Sequence, residues 1–352
     1  MADANGGRLR VLSVPRPLET NPYQTLLYRA FEGAGGTLLP ERLSRETLRS
    51  HDGPGRILHV HWLWLKGGRV RRFLRSRRLA NSLDEARSLG WRVAWTAHNI
   101  IPHDTTREDR WLAERLARTA DGVIAHTESA REALRTTFRL DCPIRVIPHG
   151  HYRDAYPPAT ERDDARRELG LDDTRPVLLA FGQVRPYKGF QDLVERFRQA
   201  DLDATLVVAG DPTDQHATAD LIARAGDDPR IRLDLRFHDP SETSLLFSAA
   251  DRVILPYRKV TTSGTLVLAL SLGRACVIPD DASLLDISGE AAVERFRSLD
   301  DLMPAIARSL AADDTTSERA AWRRSEELTW GPIGERTLEF FRELTIPEVT
   351  AS

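Results

Sequence analysis

Cysteine is almost missing from this chain: Cys142 and Cys276 are the two among 352 residues. Neither has metal-ligand spacing and Cys276 lies in an apolar stretch, so both read as reduced core residues of a cytosolic protein. No apolar run is long enough to span a membrane, and no signal-peptide pattern precedes Arg8, so a cytoplasmic location is expected. Strong charge of one sign is missing too. Lys and Arg number 50, Asp and Glu 52, for a net charge of −2, so no global field recruits nucleic acid or a membrane. Internal repeats and long low-complexity segments are also absent. What the chain does have is length, enough for two α/β domains with separate cores.

Residues 177–189, VLLAFGQVRPYKG, carry the most chemical pattern. Apolar residues run into Phe181 and Gly182, Arg185 and Lys188 follow three apart, and Gly189 precedes the amphipathic FQDLVERFRQA. This predicts a buried parallel strand, a tight turn with two cations, and a helix. Gly182 lets backbone approach a ligand without a Cβ in the way, and two cations at a strand's carboxyl end suit a diphosphate. A βα loop with ordinary surface charges is the plain alternative.

Residues 252–279, RVILPYRKVTTSGTLVLALSLGRACVIP, repeat the theme with different chemistry. A strand leads through a loop to Thr262, Ser263, Gly264 and Thr265, which open a helix; Gly273 and another strand follow. Hydroxyls and amides at a helix N-terminus form an anion site, or simply an N-cap. Two phosphate-type sites at strand-to-helix turns in one half of the chain point to a shared anionic ligand.

FGQVRPYKG and LPYRKVTTSGTLVLALSLGRACVIP resemble two motifs of the nucleotide-sugar glycosyltransferases of the GT-B fold, G-x-x-x-x-x-K-G after a strand and P…G-x-x-x-x-E-A-x-x-x-G-x-P-V-V. The resemblance implies an α/β fold of two Rossmann-like domains facing a central cleft. It implies an acceptor-binding domain at 8–152, a nucleotide-sugar-binding domain at 153–330, and a last helix at 331–352 that crosses back to the first domain. Arg185 and Lys188 would neutralise the leaving diphosphate, with Gly182 beside them and Thr262, Ser263, Gly264 and Thr265 on the same phosphates. The family receives the nucleotide base at the turn holding Phe237, His238 and Asp239, which makes His238 a donor-side candidate. One departure stands out: the family's paired glutamates fall here on Val260 and Leu268. The Thr-Ser-Gly version is similar to a divergent branch that includes bacterial exopolysaccharide enzymes and mannosyltransferases acting on lipid-linked sugars.

In the first half, RILHVHWLW is expected to set His59 and His61 on one strand face, Trp62 and Trp64 on the other. No third ligand accompanies the two histidines, which argues against a metal site and leaves His61 packed with a polar tip near the cleft. The turn Asn21-Pro22-Tyr23 opens a helix; the resemblance makes Asn21 and Tyr23 acceptor-side contacts, with a plain helix cap as the alternative. WRVAWTAHNIIPHDT resembles the W-T-x-H-N-x-x-P-H-E segment of bacterial exopolysaccharide glycosyltransferases. His98 ends that strand, Asn99 stands beside it on the acceptor side, and His103 and Asp104 follow in the loop. His98 is expected to act as a general base or a neutral donor to sugar or phosphate, with Asp104 as the reserve carboxylate. A histidine satisfied by backbone carbonyls is the alternative; His126 reads as structural. Arg69, Arg71, Arg72, Arg75, Arg77 and Arg78 crowd around Phe73 and Leu74, either as a solvated helical face or as a surface for anionic lipid.

The function implied is sugar transfer from a nucleoside diphosphate sugar to a hydroxyl of a lipid-linked saccharide, another glycoconjugate precursor or a small molecule. The setting expected is exopolysaccharide or glycolipid assembly by a cytoplasmic enzyme, peripheral to the membrane. No Asp-x-Asp stands in a donor loop and two fixed cations do a metal's work, so no metal or other cofactor is expected. An epimerase or hydrolase on the same fold, or an inactive partner subunit, are the competing classes.

Overall fold

The computed structural model describes residues 8–18, 21–62, 69–100, 106–171 and 174–346. The chain divides into two compact units, 1–150 with 329–352, and 151–328.

The first unit is built on six parallel strands: β1 Arg10–Val14, β2 Thr37–Leu38, β3 Arg56–Val60, β4 Arg92–Thr96, β5 Gly122–Ala125 and β6 Ile144–Val146. Their order is β2-β1-β3-β4-β5-β6. Leu58 of β3 sits between Leu12 of β1 and Val93 of β4. Strands covered on both faces are apolar throughout, and Ile57, Leu58 and Val60 are fully buried; His59, between them, is buried just as deeply. The helix Trp330–Thr345 belongs to this unit and packs on the helix Pro22–Gly33. The approach needs a glycine, because a Cβ on Gly334 would lie 2.5 Å from the Ala30 carbonyl.

The second unit carries β7 Val177–Phe181, β8 Thr205–Ala209, β9 Ile231–Asp234, β10 Arg252–Ile254, β11 Cys276–Pro279 and β12 Val293–Phe296. Its parallel sheet runs β12-β11-β10-β7-β8-β9. The chain therefore builds outward from β7 in one direction and restarts beside it with β10. In the first unit it reverses in the same way between β1 and β3. Ligands of open parallel sheets gather beyond the carboxyl ends of strands at such reversals.

One local expectation fails. β3 stops at Val60, so strand alternation does not carry Trp62 to the opposite face; its ring lies 5.5 Å from His61 and stacks 4.4 Å from His98. Trp64 lies outside the described residues.

Candidate functional site

In the second unit, β7 runs into Gly182 at φ +132°, and a single 3-10 turn, Pro186–Lys188, leads to the helix Phe190–Gln199. A Cβ on Gly182 would lie 3.4 Å from Lys188 Nζ and 3.6 Å from Thr265 Oγ1, so both side chains converge on one bare stretch of backbone. Gly189, at φ +70°, ends the turn so tightly that a Cβ would fall 1.9 Å from the Pro256 carbonyl oxygen. The turn after β7 is thereby pinned to the exit of β10.

Lys188 Nζ donates to Tyr257 Oη at 2.9 Å, and Tyr257 Oη lies 3.0 Å from Ser263 Oγ. Burial alone would lower the Lys188 pKa, but the Tyr257 and Tyr187 hydroxyls outweigh it and the pKa is raised. Ser263 caps the helix Gly264–Ser271 by accepting from Leu266 N. The earlier amides of that first turn have no intrahelical partner. Ser263 thus spends part of its oxygen on the cap, while half-buried Thr265 faces Gly182 and Lys188. Arg185 is half-buried in extended backbone before the turn, and Thr262 is half-buried before the cap. Leu268, at one family glutamate position, is buried in the core, and Val260 is half-buried. His238 Nε2 donates to Asp234 Oδ2 at 2.9 Å, while its Nδ1 has no partner among the described residues. Tyr257 was not legible as a site residue; its one signal was its place at the exit of β10, two residues past Leu255.

In the first unit, five histidines gather at the carboxyl ends of strands: His59 and His61 from β3, His98 from β4, His126 from β5, His149 from β6. All are buried. Tyr28 Oη lies 2.9 Å from His59 Nδ1 and 2.8 Å from His61 Nε2, and His59 Nε2 is 2.7 Å from Thr96 Oγ1. His61 Nδ1 is 3.2 Å from His98 Nε2, His98 Nδ1 is 3.3 Å from His126 Nε2, and His126 Nδ1 is 2.9 Å from the Ile147 carbonyl oxygen. Burial holds every one of these imidazoles below its ordinary pKa, His126 down to about 4 and His59 and His149 to about 3. They are therefore neutral at pH 7.

Tyr23 is the hub of this group, with ring centroids 4.8 Å from His98, 4.6 Å from His149 and 5.7 Å from Trp330. The structure brings His61, His98 and Tyr23 together. Asn21 caps the helix Pro22–Gly33, its Oδ1 accepting from Tyr23 N at 3.2 Å, and Asn99 is half-buried next to His98. Asp104 and His103 lie outside the described residues. His126 is part of the array although its sequence context read as structural, and His149 was not singled out; the shared signal is a histidine one to three residues past a strand end. Among the described residues, no group of three or more His, Cys, Asp or Glu is arranged to hold a metal, and no helix is long and apolar enough to cross a membrane.

Residues 57–152 match Glycosyltransferase Family 4 and residues 175–311 match Glycosyl transferases group 1. The GDP-mannose:glycolipid 4-beta-D-mannosyltransferase of Xanthomonas campestris pv. campestris is 32% identical over 299 residues, covering 80% of this chain and 77% of that one. The lipopolysaccharide core biosynthesis mannosyltransferase LpsB of Rhizobium meliloti is 27% identical over 216 residues, 58% of this chain and 59% of its own. Among solved structures, sucrose-phosphate synthase from Thermosynechococcus elongatus superposes with a TM-score of 0.73 at 16% identity, covering 96% of this chain and 99% of that one. The Anabaena protein HepE, in complex with UDP and glucose, does so at 0.69 and 15% identity, covering 96% and 100%.

Proposed function

The chain belongs to the family 4-like glycosyltransferases of the GT-B fold, and from that premise we propose that it moves a mannosyl group from GDP-mannose to a hydroxyl of a glycolipid acceptor. One observation carries the donor half: Gly182, Lys188 and Thr265 converge at the carboxyl end of β7, at the reversal of the sheet. The 32% relative, named for GDP-mannose and a glycolipid, supports the choice of substrates.

Charge grows on the diphosphate as the glycosidic bond breaks, so cations held in place stabilise the transition state more than the ground state. Lys188 and Arg185 supply that charge, and the first-turn amides with Thr262, Ser263, Gly264 and Thr265 supply hydrogen bonds. The turn that holds His238 receives the base through its backbone, while the buried His238 side chain is fixed by Asp234. With two cations in these roles, transfer proceeds without a metal. In the first unit, His98 receives the acceptor's hydroxyl proton or aligns the sugar, with Tyr23, His61, Asn21 and Asn99 on the acceptor side and Asp104 as reserve. The Arg-rich helix Arg69–Ser88 exposes Val70, Phe73 and Leu74 among arginines, which suits an enzyme that works at the inner face of an anionic membrane.

The test is a donor panel of nucleoside diphosphate sugars offered with glycolipid acceptors, products read by mass spectrometry, with and without chelator. Mannosylated glycolipid from GDP-mannose at an undiminished rate in chelator is the expected result. Release of free sugar or an epimerised donor without acceptor would replace transfer by hydrolysis or epimerisation.

A further inference from the structure

Four of the five histidines, His126, His98, His61 and His59, are more than a buried polar cluster, because their bonds form one chain with one permitted direction. The Ile147 carbonyl can only accept, so His126 Nδ1, 2.9 Å away, carries a proton. A neutral His126 then has a lone pair at Nε2, which His98 must approach with Nδ1–H. His98 Nε2 is in turn a lone pair and receives His61 Nδ1–H, leaving His61 Nε2 to accept from the Tyr28 hydroxyl. The Tyr28 oxygen accepts from His59 Nδ1–H, and His59 Nε2 accepts from Thr96 Oγ. The opposite direction would set two lone pairs or two protons face to face at a link. Every imidazole of the chain is thereby held as the Nδ1–H tautomer, the less favoured form of a free side chain in water.

We infer that His126, His61 and Tyr28 are positioning residues for His98, which they hold in the Nδ1–H form with its basic Nε2 lone pair directed at the His61 end of the chain. The inference rests on the role given to His98 above. The two links of His98 within the chain, at 3.2 and 3.3 Å, are its longest, so an acceptor hydroxyl can replace His61 at Nε2 more readily than any other link breaks. When the hydroxyl proton bonds to His98 Nε2, the His98 Nδ1 proton passes to His126 Nε2. The hydroxyl oxygen keeps the electron pair, His98 stays neutral with its proton on the other nitrogen, and His126 becomes an imidazolium against the Ile147 carbonyl. Facing this pair among the described residues are His59, His61, His149, Tyr23 and Tyr28. Burial is the larger influence on His126 and disfavours that charge, and the Ile147 carbonyl offsets part of it.

The experiment is tautomer-resolved nitrogen NMR on the full chain labelled in histidine, together with kcat, KM and GDP affinity. In the unsubstituted protein at neutral pH, His59, His61, His98 and His126 are expected in the Nδ1–H form. His126→Phe should release His98 to the other tautomer and lower kcat by at least about tenfold, less than removing a base outright, with GDP affinity unchanged. His126→Gln, whose carbonyl accepts and whose amide donates, should restore both the tautomer and most of kcat. Tyr28→Phe gives an independent reading should His126→Phe not fold, since it deprives His61 Nε2 of its donor and should change the His61 signal. An Nε2–H or charged His98 in the unsubstituted protein overturns the inference, as does a His126→Phe variant with His98 tautomer and kcat unaltered. A His98→Ala variant that transfers at the normal rate removes the catalytic role of His98 itself, a separate result from the tautomer pattern.

Discussion

The Lys188 ammonium donates to the Tyr257 hydroxyl at 2.9 Å, so the cation of one turn is held by a side chain from the loop that leads to the second. A catalytic charge must be fixed before the reaction to act fully in the transition state. Lys188→Ala should therefore lower kcat by about a hundredfold or more, and Arg185→Ala should act in the same direction. Tyr257→Phe leaves the charge and loosens its placement, so a smaller loss, about tenfold, is expected. Steady-state rates at saturating donor check this order; unchanged turnover in Lys188→Ala would remove the donor-site assignment.

Two glycines make the same site possible through backbone alone. A Cβ would lie 1.9 Å from the Pro256 oxygen at Gly189 and 1.9 Å from the Gly182 oxygen at Gly210, and both have positive φ. Gly170, at φ +61°, has nothing within 4 Å and isolates the dihedral cost. Gly170→Ala should cost about 1–2 kcal/mol, and Gly189→Ala and Gly210→Ala more than about 3 kcal/mol. Urea midpoints of the three variants measure the difference, and equal shifts would show that the close approaches relax freely.

The neutral histidine array sets a pH dependence. His126 titrates at about 4 and His59 and His149 at about 3 in the folded protein, with His61 and His98 also lowered, against 6.5 for the ordinary side chain. The unfolded chain thus takes up protons below pH 6.5 that the folded one refuses. Stability is full above that value, falls as pH drops through it, and stops falling below the folded pKa values. At pH 5.5 each imidazole that stays neutral in the fold costs on the order of 1 kcal/mol, so the array as a whole removes several kcal/mol, a large part of a domain's stability. Every tryptophan but Trp322 falls in the first unit, so tryptophan emission should report its unfolding between about pH 6 and 5. Emission unchanged down to pH 4 would mean that the array takes up protons without unfolding.

The local structure around Gly182 and Ser263 was legible in the sequence because strand, turn and helix succeed one another within single stretches: Gly182, Lys188 and Ser263 each announce a local conformation. Tyr257 was hidden because its meaning is a contact with a residue 69 positions away. The histidine array was hidden for the same reason. His59, His61, His98, His126 and His149 lie at or just past the ends of four strands, and nothing in their local sequence reveals that parallel pairing sets those strand ends side by side. Trp62 shows the converse limit, since alternation predicts a face only while the strand lasts.

The last prediction concerns the helix Arg69–Ser88. Val70, Phe73 and Leu74 are spaced to share one face and are 72%, 47% and 49% exposed, while Arg71, Arg75 and Arg78 are exposed around them. A helix that shows apolar side chains to water gains by burying them, by about 1.5–3 kcal/mol for each Leu or Phe side chain fully removed from water. Arginines beside them gain about 1 kcal/mol each near an anionic surface, and that part is screened by salt over about 10 Å at 0.1 M. The two contributions can be separated. Replacing Arg71, Arg75 and Arg78 with Ser should weaken binding to phosphatidylserine-containing vesicles by about a hundredfold and flatten its salt dependence. Replacing Phe73 and Leu74 with Ser should weaken binding at every salt concentration and leave the slope in place. Vesicle flotation across a salt series reads both, and a protein that never floats, or floats equally with neutral vesicles, assigns the arginines to an ordinary solvated face.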